Sequence, residues 1–281
     1  MVNNMKQALN QIIQGNTLEV VKDLPDSFID VTVTSPPYNK KQPKSGKNSI
    51  MKAITYDCIS DNLPESVYQQ EQIDILNEIY RSTKEGGSLF YNHKIRYLKG
   101  IMTHPIEWLS KTDWHMRQII TWDRSACVEV GGYRFYQVDE LVFWLYKPCD
   151  NNVVGSKMLS KHARTTSIWR FTPDRKNPHP APYPLEFPLR CILSMLDEDK
   201  GLVFDPYMGS GTTGVAATLL NKDWLGIDIS ENYIESANTR ISNSESERYK
   251  LESELENHVV KKSYKQRQKE KKSKSSGSGF F

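Results

Sequence analysis

A short proline-rich segment is the first group of residues whose types could do chemistry. Ser35-Pro36-Pro37-Tyr38 directly follows residues 28–34, which are rich in β-branched side chains and predict a buried strand. Two consecutive prolines fix φ and remove two N–H donors, but their carbonyl oxygens remain available as acceptors. A serine hydroxyl and an aromatic ring flank them. An isolated Pro-Pro pair is usually only a turn, whereas this combination also offers acceptors and a stacking surface to a ligand.

A second motif lies late in the chain, where a strand, a glycine turn and a helix start succeed one another over residues 203–213. Glycines let a backbone approach a ligand closely, and a helix N-terminus presents N–H groups and a positive dipole end. Asp228 ends the next predicted strand, 23 residues after Asp205 (205 to 228). An acid at about this distance hydrogen-bonds a ribose in dinucleotide-binding folds.

The side chains of this second motif narrow the choice of ligand. The GxGxxG spacing of dinucleotide sites is not met, because Thr213 and Gly214 follow Gly211. A carboxylate at Asp205 would repel a pyrophosphate and would pair with an ammonium. A cofactor that carries an ammonium, a carboxylate and a ribose fits these features, and S-adenosylmethionine is such a cofactor.

Strand and helix patterns alternate around the two motifs. Residues 8–27 read as a helix or turn, Gly86-Gly87 is expected to end a helix, and 40–66 and 147–178 read as irregular segments. Strands are predicted at 28–34, 88–91, 114–122, 135–146, 202–204 and 224–229, and helices at 67–84, 185–196, 213–221 and 231–240. This alternation predicts an α/β fold with a mostly parallel sheet that binds ligands at the carboxyl ends of its strands.

Composition limits the class of protein. The chain has 281 residues, of which 38% are hydrophobic and 25% charged, as in ordinary globular proteins. Its apolar stretches are too short for a membrane span, and residues 1–20 lack the apolar core of a signal peptide, so we expect a cytoplasmic protein. The four cysteines stand at wide, irregular intervals, which argues against a disulfide framework or a zinc site.

The charge distribution divides the chain into a body and a tail. Residues 261–281 carry eight basic residues and one acid (net +7), which leaves 29 basic and 33 acidic residues (net −4) for the rest. We therefore expect one folded domain over 1–260, which holds both motifs, and a basic, disordered tail over 261–281. Such a tail suits a polyanionic partner, although a solvated terminus that only aids solubility is an equal alternative.

Together these motifs resemble the DNA amino-methyltransferases. In that family Ser-Pro-Pro-Tyr after a strand is the catalytic motif, and Asp-Pro-x-x-Gly-Ser-Gly-Thr-Thr is the cofactor motif. The catalytic motif comes first here, which resembles the circularly permuted β group. Gly15-Asn16, Gly86-Gly87, residues 179–184 and 226–228 also match, so the resemblance spans residues 10–240. One departure is Asn16, since the family usually has an acid there.

The resemblance implies a Rossmann-like methyltransferase fold, that is, a doubly wound, mostly parallel sheet with an antiparallel hairpin. It implies S-adenosyl-L-methionine as cofactor and double-stranded DNA as partner, in a prokaryotic restriction–modification or orphan modification role. A cognate restriction endonuclease and a homodimer stay open as further partners. The catalytic residues would be Ser35, Pro36, Pro37 and Tyr38. The cofactor-binding residues would be Asn16, Ser35, Pro184, Phe204, Asp205, Pro206, Gly209, Ser210, Gly211, Thr212, Thr213 and Asp228.

The expected reaction methylates the exocyclic amino group of a base that has left the duplex and stacks on Tyr38. The amino hydrogens would point at the Ser35 hydroxyl and the Pro36 carbonyl, with neither a metal nor a covalent enzyme intermediate. Ser-Pro-Pro-Tyr favours N4 of cytosine, with N6 of adenine as the alternative. Methylation of RNA or a small molecule, an inactive DNA-binding protein, a nicotinamide-dependent dehydrogenase and a carbon-5 methyltransferase using Cys149 are weaker alternatives.

Candidate DNA contacts come from the basic segments. Residues 147–178 are the predicted target-recognition segment, and residues 92–94 either touch substrate or are structural. The aromatic residues Phe135, Tyr136, Phe143, Trp144 and Tyr146 are predicted to belong to the core. The candidate phosphate or base contacts are Lys40, Lys41, Lys157, Lys161, Arg164, Arg170 and Arg175.

Overall fold

One large sheet organises the protein. The computed structural model describes residues 9–40, 57–58, 61–98, 100–125, 135–149, 166–174, 182–196 and 200–257. The strands are β1 (Gln11–Gln14), β2 (Ile29–Thr34), β3 (Thr83–His93), β4 (Arg96–Leu98), β5 (Ile101–Thr103), β6 (His115–Asp123), β7 (Asp139–Tyr146), β8 (Ile168–Arg170), β9 (Leu202–Asp205) and β10 (Asp223–Asp228). The tail 261–281 and most of 147–178 lie outside the described residues.

The strand order of the large sheet is β1-β10-β9-β2-β3-β7-β6-β8, and β4 and β5 form a separate antiparallel hairpin. The first five strands of this order are mutually parallel. β7 runs antiparallel to both of its neighbours, β3 and β6. The prediction of a mostly parallel α/β sheet with an antiparallel hairpin is therefore confirmed.

Helices cover both faces of the sheet. They are α1 (Thr17–Lys22), α2 (Glu65–Ser82), α3 (Ile106–Leu109), α4 (Glu186–Met195), α5 (Thr212–Leu219), α6 (Glu231–Ser242) and α7 (Arg248–Asn257), with a 3₁₀ turn (Ser244–Glu247) before the last. Within the described ranges, no helix is both long and apolar enough to cross a membrane.

The two cores follow from the alternation of side chains along each strand. In β7, Val142 and Trp144 pack with α4 and α5, whereas Leu141, Phe143 and Leu145 pack with α2 and α3. Both faces of the central strands are thus buried, which explains their nearly continuous apolar sequence.

The predicted role of Gly86-Gly87 as a helix stop is wrong. α2 ends at Ser82, and the chain continues through both glycines as β3. The pairing of β2 with β3 jumps from Ile29↔Thr83 to Val31↔Ser88, so the glycines lie in a bulge. Gly86 has φ +77°, and a Cβ on Gly87 would lie 2.5 Å from Thr83 Cγ2. Glycine is favoured both at helix ends and in β-bulges, so a Gly-Gly pair in the sequence does not distinguish the two.

Two short strands differ from the expected elements. β1, within the predicted helix or turn, pairs with β10 through four residues, and β8 pairs with β6 through three residues of the segment predicted to be irregular. Neither run is long enough to show a period. β1 and β8 are strands because each pairs with a neighbouring strand.

The prediction for the aromatic run before β7 is only partly correct. The strand begins at Asp139, so residues 135–138 precede it. Phe143, Trp144 and Tyr146 are buried as predicted, whereas Phe135 is 98% and Tyr136 60% exposed, which contradicts their assignment to the core.

Candidate active site

The Ser-Pro-Pro-Tyr segment begins at the carboxyl end of β2, where the chain leaves the sheet beside the end of β3. Tyr38 Oη lies 2.9 Å from Ser35 Oγ and donates to Asn92 Oδ1 at 2.8 Å. Ser35 Oγ also donates to Asn92 Oδ1 at 3.2 Å. Asn92 is buried, and its amide nitrogen donates to the Leu141 carbonyl, which fixes the orientation of the amide. The three polar groups therefore form one cluster.

An acidic residue of β7, Glu140, completes this cluster. Because β7 runs antiparallel to β3, its first residues meet the carboxyl ends of the parallel strands. The Tyr38 hydroxyl lies 3.0 Å from Glu140 Oε2, and Arg124 Nη1 donates to Glu140 Oε1 at 2.5 Å. A phenol has a single proton, so Asn92 and Glu140 compete for it.

The ring of Tyr38 rests on a buried histidine. The ring centroids of Tyr38 and His93 lie 4.6 Å apart. His93 Nε2 is 2.9 Å from the Tyr68 hydroxyl, which also donates to the Pro37 carbonyl at 2.8 Å. Burial, and next the charge of Arg96, lower the pKa of His93 well below its ordinary value. Of the two interpretations of residues 92–94, the structural one therefore describes His93, which supports the Ser-Pro-Pro-Tyr segment from below.

Lys40 lies inside the site. Its ammonium is 5.1 Å from the centroid of the Tyr38 ring. Burial, and next the charge of Lys94, lower the pKa of Lys40. The ammonium therefore lies over the ring on which a base would stack.

The glycine turn is held by the end of β10. Gly209 N donates to Asp228 Oδ2 at 2.7 Å, and Ser230 N donates to Asp228 Oδ1 at 2.9 Å. Gly211 has φ +76° and serves as the N-cap of α5, whose first N–H groups lack intrahelical partners. Burial raises the pKa of Asp228. The turn, the helix start and Asp228 are thus brought together as predicted.

Asp205 is enclosed rather than exposed to a ligand. Its Oδ1 accepts from Thr34 Oγ1 at 2.9 Å and from Tyr207 N at 3.1 Å. Its Oδ2 accepts from Tyr183 Oη at 2.8 Å and from Thr213 Oγ1 at 2.7 Å. Burial raises the pKa of Asp205 to about 6. In this arrangement a ligand ammonium would have to displace one of these donors, so direct pairing with Asp205 is not what the geometry offers.

The same carboxylate joins the two motifs. Thr34 immediately precedes Ser35, and its hydroxyl bonds to Asp205 although 171 residues separate them in the chain. β2 and β9 are parallel neighbours, with Val31 opposite Val203 and Thr32 opposite Phe204. The Ser-Pro-Pro-Tyr segment and the glycine turn therefore begin side by side.

The remaining predicted cofactor residues differ in their placement. Gln14 pairs with Asp228, which brings Asn16 to the carboxyl end of β10. Asn16 Oδ1 caps α1 by accepting from Leu18 N at 3.0 Å. Thr17 Oγ1 donates to the Pro206 carbonyl at 3.0 Å. Pro184 is buried next to Tyr183. The Phe204 side chain is fully buried in the core on the side of α2, so only its backbone can face the edge of the sheet.

Of the predicted DNA contacts, two fall within the described residues. Lys40 lies over Tyr38, and Arg170 has an exposed side chain whose Nε is 3.1 Å from Asp123 Oδ2. Arg170 therefore remains accessible at the edge of the sheet. Lys41, Lys157, Lys161, Arg164 and Arg175 lie outside the described residues.

Cys149 is far from this cluster. It lies beside Gly86, where a Cβ added to the glycine would be 3.9 Å from Cys149 Cβ. Gly86 is near the beginning of β3, whereas Asn92 is near its end, so about 20 Å of strand separates Cys149 from Ser35. This position contradicts the carbon-5 methyltransferase alternative.

Sequence reasoning missed Glu140 and Tyr183 as site residues. Nothing in the local sequence of β7 distinguishes Glu140, because its role depends on the antiparallel direction of that strand. Tyr183 stands next to Pro184 within a matched family segment, so the resemblance contained a signal for it.

Comparisons with known proteins agree with this arrangement. The model of the family described as DNA methylase (N6/N4) matches residues 29–239. The type II methyltransferase M.HpaI of Haemophilus parainfluenzae is 27% identical over 277 residues, which cover 90% of this chain and 83% of the relative.

Two solved structures share the fold. The PvuII DNA methyltransferase, described as cytosine-N4-specific, superposes with a TM-score of 0.65 at 18% identity, covering 85% of this chain and 91% of the other. A DNA modification methylase of Thermus thermophilus, complexed with S-adenosyl-L-methionine, gives a TM-score of 0.59 at 19% identity, covering 83% and 95%.

Proposed function

The chain belongs to the N6/N4 DNA methylase family, and from this premise we propose that it methylates the exocyclic amino group of a flipped DNA base, with N4 of cytosine favoured. S-adenosyl-L-methionine is the proposed methyl donor. The observation that carries this proposal is the 2.9 Å hydrogen bond from Thr34 Oγ1 to Asp205 Oδ1, because it joins the acceptor-rich catalytic segment to the glycine turn.

The residues at the turn fit this cofactor. The helix N-terminus of α5 and the glycines of the turn give a close backbone surface for its carboxylate. Asp228 ends β10 beside Asn16 and suits the ribose hydroxyls. The enclosure of Asp205 makes that residue a support of the turn instead of a direct partner of the ammonium. When bound, this cofactor supplies an electrophilic methyl group on a sulfonium.

The catalytic segment would orient and polarise the base. Ser35 Oγ–H donates towards Tyr38 Oη or Asn92 Oδ1, which leaves the lone pairs of Ser35 Oγ for an amino hydrogen of the base. The Pro36 carbonyl is a second acceptor. Such acceptors localise the nitrogen lone pair, and the fixed cluster needs little reorganisation.

The same cluster provides a route for the proton that the amino group loses. The hydrogen-bonded atoms run from Ser35 Oγ through Tyr38 Oη to Glu140 Oε2, with steps of 2.9 and 3.0 Å. Arg124 stabilises the carboxylate at the end of this route. The stacking role of Tyr38 requires Lys40 to leave the ring, which frees its ammonium for a phosphate.

The choice of base rests on the serine. A neutral hydroxyl at position 35 is the family tendency for cytosine, and the PvuII neighbour is described as cytosine-N4-specific. N6 of adenine stays the alternative, because both bases present an amino group of similar geometry. A cognate endonuclease, a homodimer and target readout by residues 147–178 stay predictions.

Nucleoside mass spectrometry tests the proposal. Unmethylated duplex DNA is incubated with the protein and S-adenosylmethionine, and Ser35→Ala serves as the matched control. N4-methylcytosine, absent with the variant, is the expected product. N6-methyladenine would overturn the choice of base, and the absence of any methylated nucleoside despite verified cofactor binding would overturn DNA as the substrate.

A further inference from the structure

An arginine in the last turn of α6 contacts the glycine turn. Arg240 Nη1 donates to Thr212 Oγ1 at 2.8 Å, to the Ser210 carbonyl at 3.2 Å and to Ser210 Oγ at 3.4 Å. These acceptors lie in the turn and the first residue of α5. A guanidinium presents its donors in a rigid, planar arrangement, so it fixes the relative positions of the two residues.

The guanidinium is itself held from the other side. Arg240 Nε donates to Glu247 Oε1 at 2.7 Å, and Nη2 donates to Glu247 Oε2 at 3.1 Å. Both side chains are largely buried, and Lys250 Nζ lies 3.3 Å from the same carboxylate. Two parallel hydrogen bonds between Arg240 and Glu247 fix the orientation of the guanidinium. The 3₁₀ turn that carries Glu247 is therefore coupled to the glycine turn through one side chain.

Apolar packing brings α6 close enough for this contact. A Cβ on Gly211 would lie 3.0 Å from Ala237 Cβ, and one on Gly214 would lie 2.6 Å from Ile241 Cδ1. The glycines of the motif thus serve helix packing as well as ligand approach. Arg240 adds polar bonds to a surface that already fits closely.

We propose that Arg240 is a positioning residue for the glycine turn, and that Glu247 acts on the cofactor site by orienting the Arg240 guanidinium. This inference rests on the proposed function, since it assigns the cofactor to that turn. The family match ends at residue 239, so both residues lie just beyond the matched region. The helical segment from 244 onwards then contributes to cofactor binding without touching the cofactor.

Two measurements on the full-length protein test the proposal. Calorimetric titration with S-adenosylmethionine gives the cofactor Kd, and hydrogen exchange of residues 208–213 in the cofactor-free protein reports the order of the turn. Arg240→Gln is expected to raise the Kd about tenfold or more, the effect of losing a charge-assisted hydrogen bond, and to speed exchange in the turn. Glu247→Gln keeps the arginine. It is expected to raise the Kd and to speed exchange in the turn, each by less than Arg240→Gln does.

Arg248→Gln is the matched control. Arg248 pairs with Glu245 on the same segment, and both side chains are exposed to solvent. The substitution should leave both measurements unchanged, because it removes an ion pair outside the contact between Arg240 and the turn. Unchanged Kd and exchange in a folded Arg240→Gln protein would overturn the proposal. If the wild-type protein failed to bind the cofactor, the proposed function would fall, while faster exchange in the variant would still support the positioning role.

Discussion

Tyr38 and Asn92 hold each other in place, with 2.8 Å between the phenol oxygen and the amide oxygen. Asn92 belongs to β3, and Tyr38 follows β2, so the contact fixes the Ser-Pro-Pro-Tyr segment to a neighbouring strand. The aromatic ring is consequently positioned by its hydroxyl as well as by His93 beneath it. The Tyr38 hydroxyl, which stacking on a base would not need, thus helps to hold the ring in position.

Tyr38→Phe should separate these two roles. The variant keeps the ring but loses the bonds to Asn92 and Glu140, so we expect kcat to fall about tenfold, the equivalent of about one hydrogen bond. The cofactor Kd should not change, because the turn is untouched. Steady-state kinetics and calorimetry measure both quantities. Tyr136→Phe, at an exposed tyrosine, is the control, and an unchanged kcat in Tyr38→Phe would contradict the proton route to Glu140.

The buried carboxylate of Asp205 should make stability depend on pH. Its pKa is raised by burial from 3.8 to about 6, so between these values the folded protein binds a proton that the unfolded chain does not. The stabilising effect of this proton is present at low pH and is lost as the pH rises to about 6, which means that acidification from pH 7 to 5 favours folding through this group.

Asp205→Asn removes that proton linkage and keeps a side chain of the same shape. We expect wild type to gain about 1 kcal/mol of unfolding free energy relative to Asp205→Asn between pH 7 and pH 5. Urea unfolding of the two proteins at each pH measures the difference. A constant difference across this range would show that the carboxyl group of Asp205 titrates normally.

Two glycines with left-handed backbones allow packing to be separated from conformation. Gly211 and Gly100 have φ +76° and +81°, but only Gly211 is close to a neighbour, since a Cβ at this position would lie 3.0 Å from Ala237 Cβ. Alanine at either position incurs the strain of positive φ, about 1 kcal/mol. Gly211→Ala should cost a further ~1 kcal/mol or more from overpacking and should weaken cofactor binding. Equal unfolding free energies for both variants would argue against tight docking of α6.

The cap at Asn16 predicts opposite outcomes for two substitutions. Its side-chain oxygen accepts from Leu18 N and Glu19 N, so Asn16→Ala should destabilise the protein by about 1 kcal/mol. Asn16→Asp keeps the acceptor and restores the acid that is usual in the family, so stability should be retained. Thermal unfolding compares the two. A loss of stability in Asn16→Asp equal to that in Asn16→Ala would exclude the capping role.

The sequence was most informative where chemistry depends on consecutive residues. Ser35 to Tyr38 follow β2 directly, and Asp205 is the last residue of β9. Parallel strands bring such ends to one edge of the sheet. Their adjacency could therefore be predicted, and the contact between Thr34 and Asp205 is its detailed form.

Roles set by distant packing could not be predicted in this way. Glu140 reaches the site because β7 runs against the other strands, and Arg240 reaches the turn because α6 docks on Gly211. Neither residue has a local signal. The enclosure of Asp205 was missed for a similar reason, since its donors come from Thr34, Tyr183 and Thr213, which are far apart in the chain.

The pairing of β2 with β9 has a consequence for how the molecule could be divided. Everything up to Cys149 includes the catalytic segment, and everything from Thr166 onwards includes the glycine turn. Two polypeptides made by cutting between these points would each hold one of the two motifs. They would meet where β9 and β10 fit between β2 and β1, and where β8 pairs with β6. Methylation would then report the reunion of the halves, which makes this division a way to build a split enzyme.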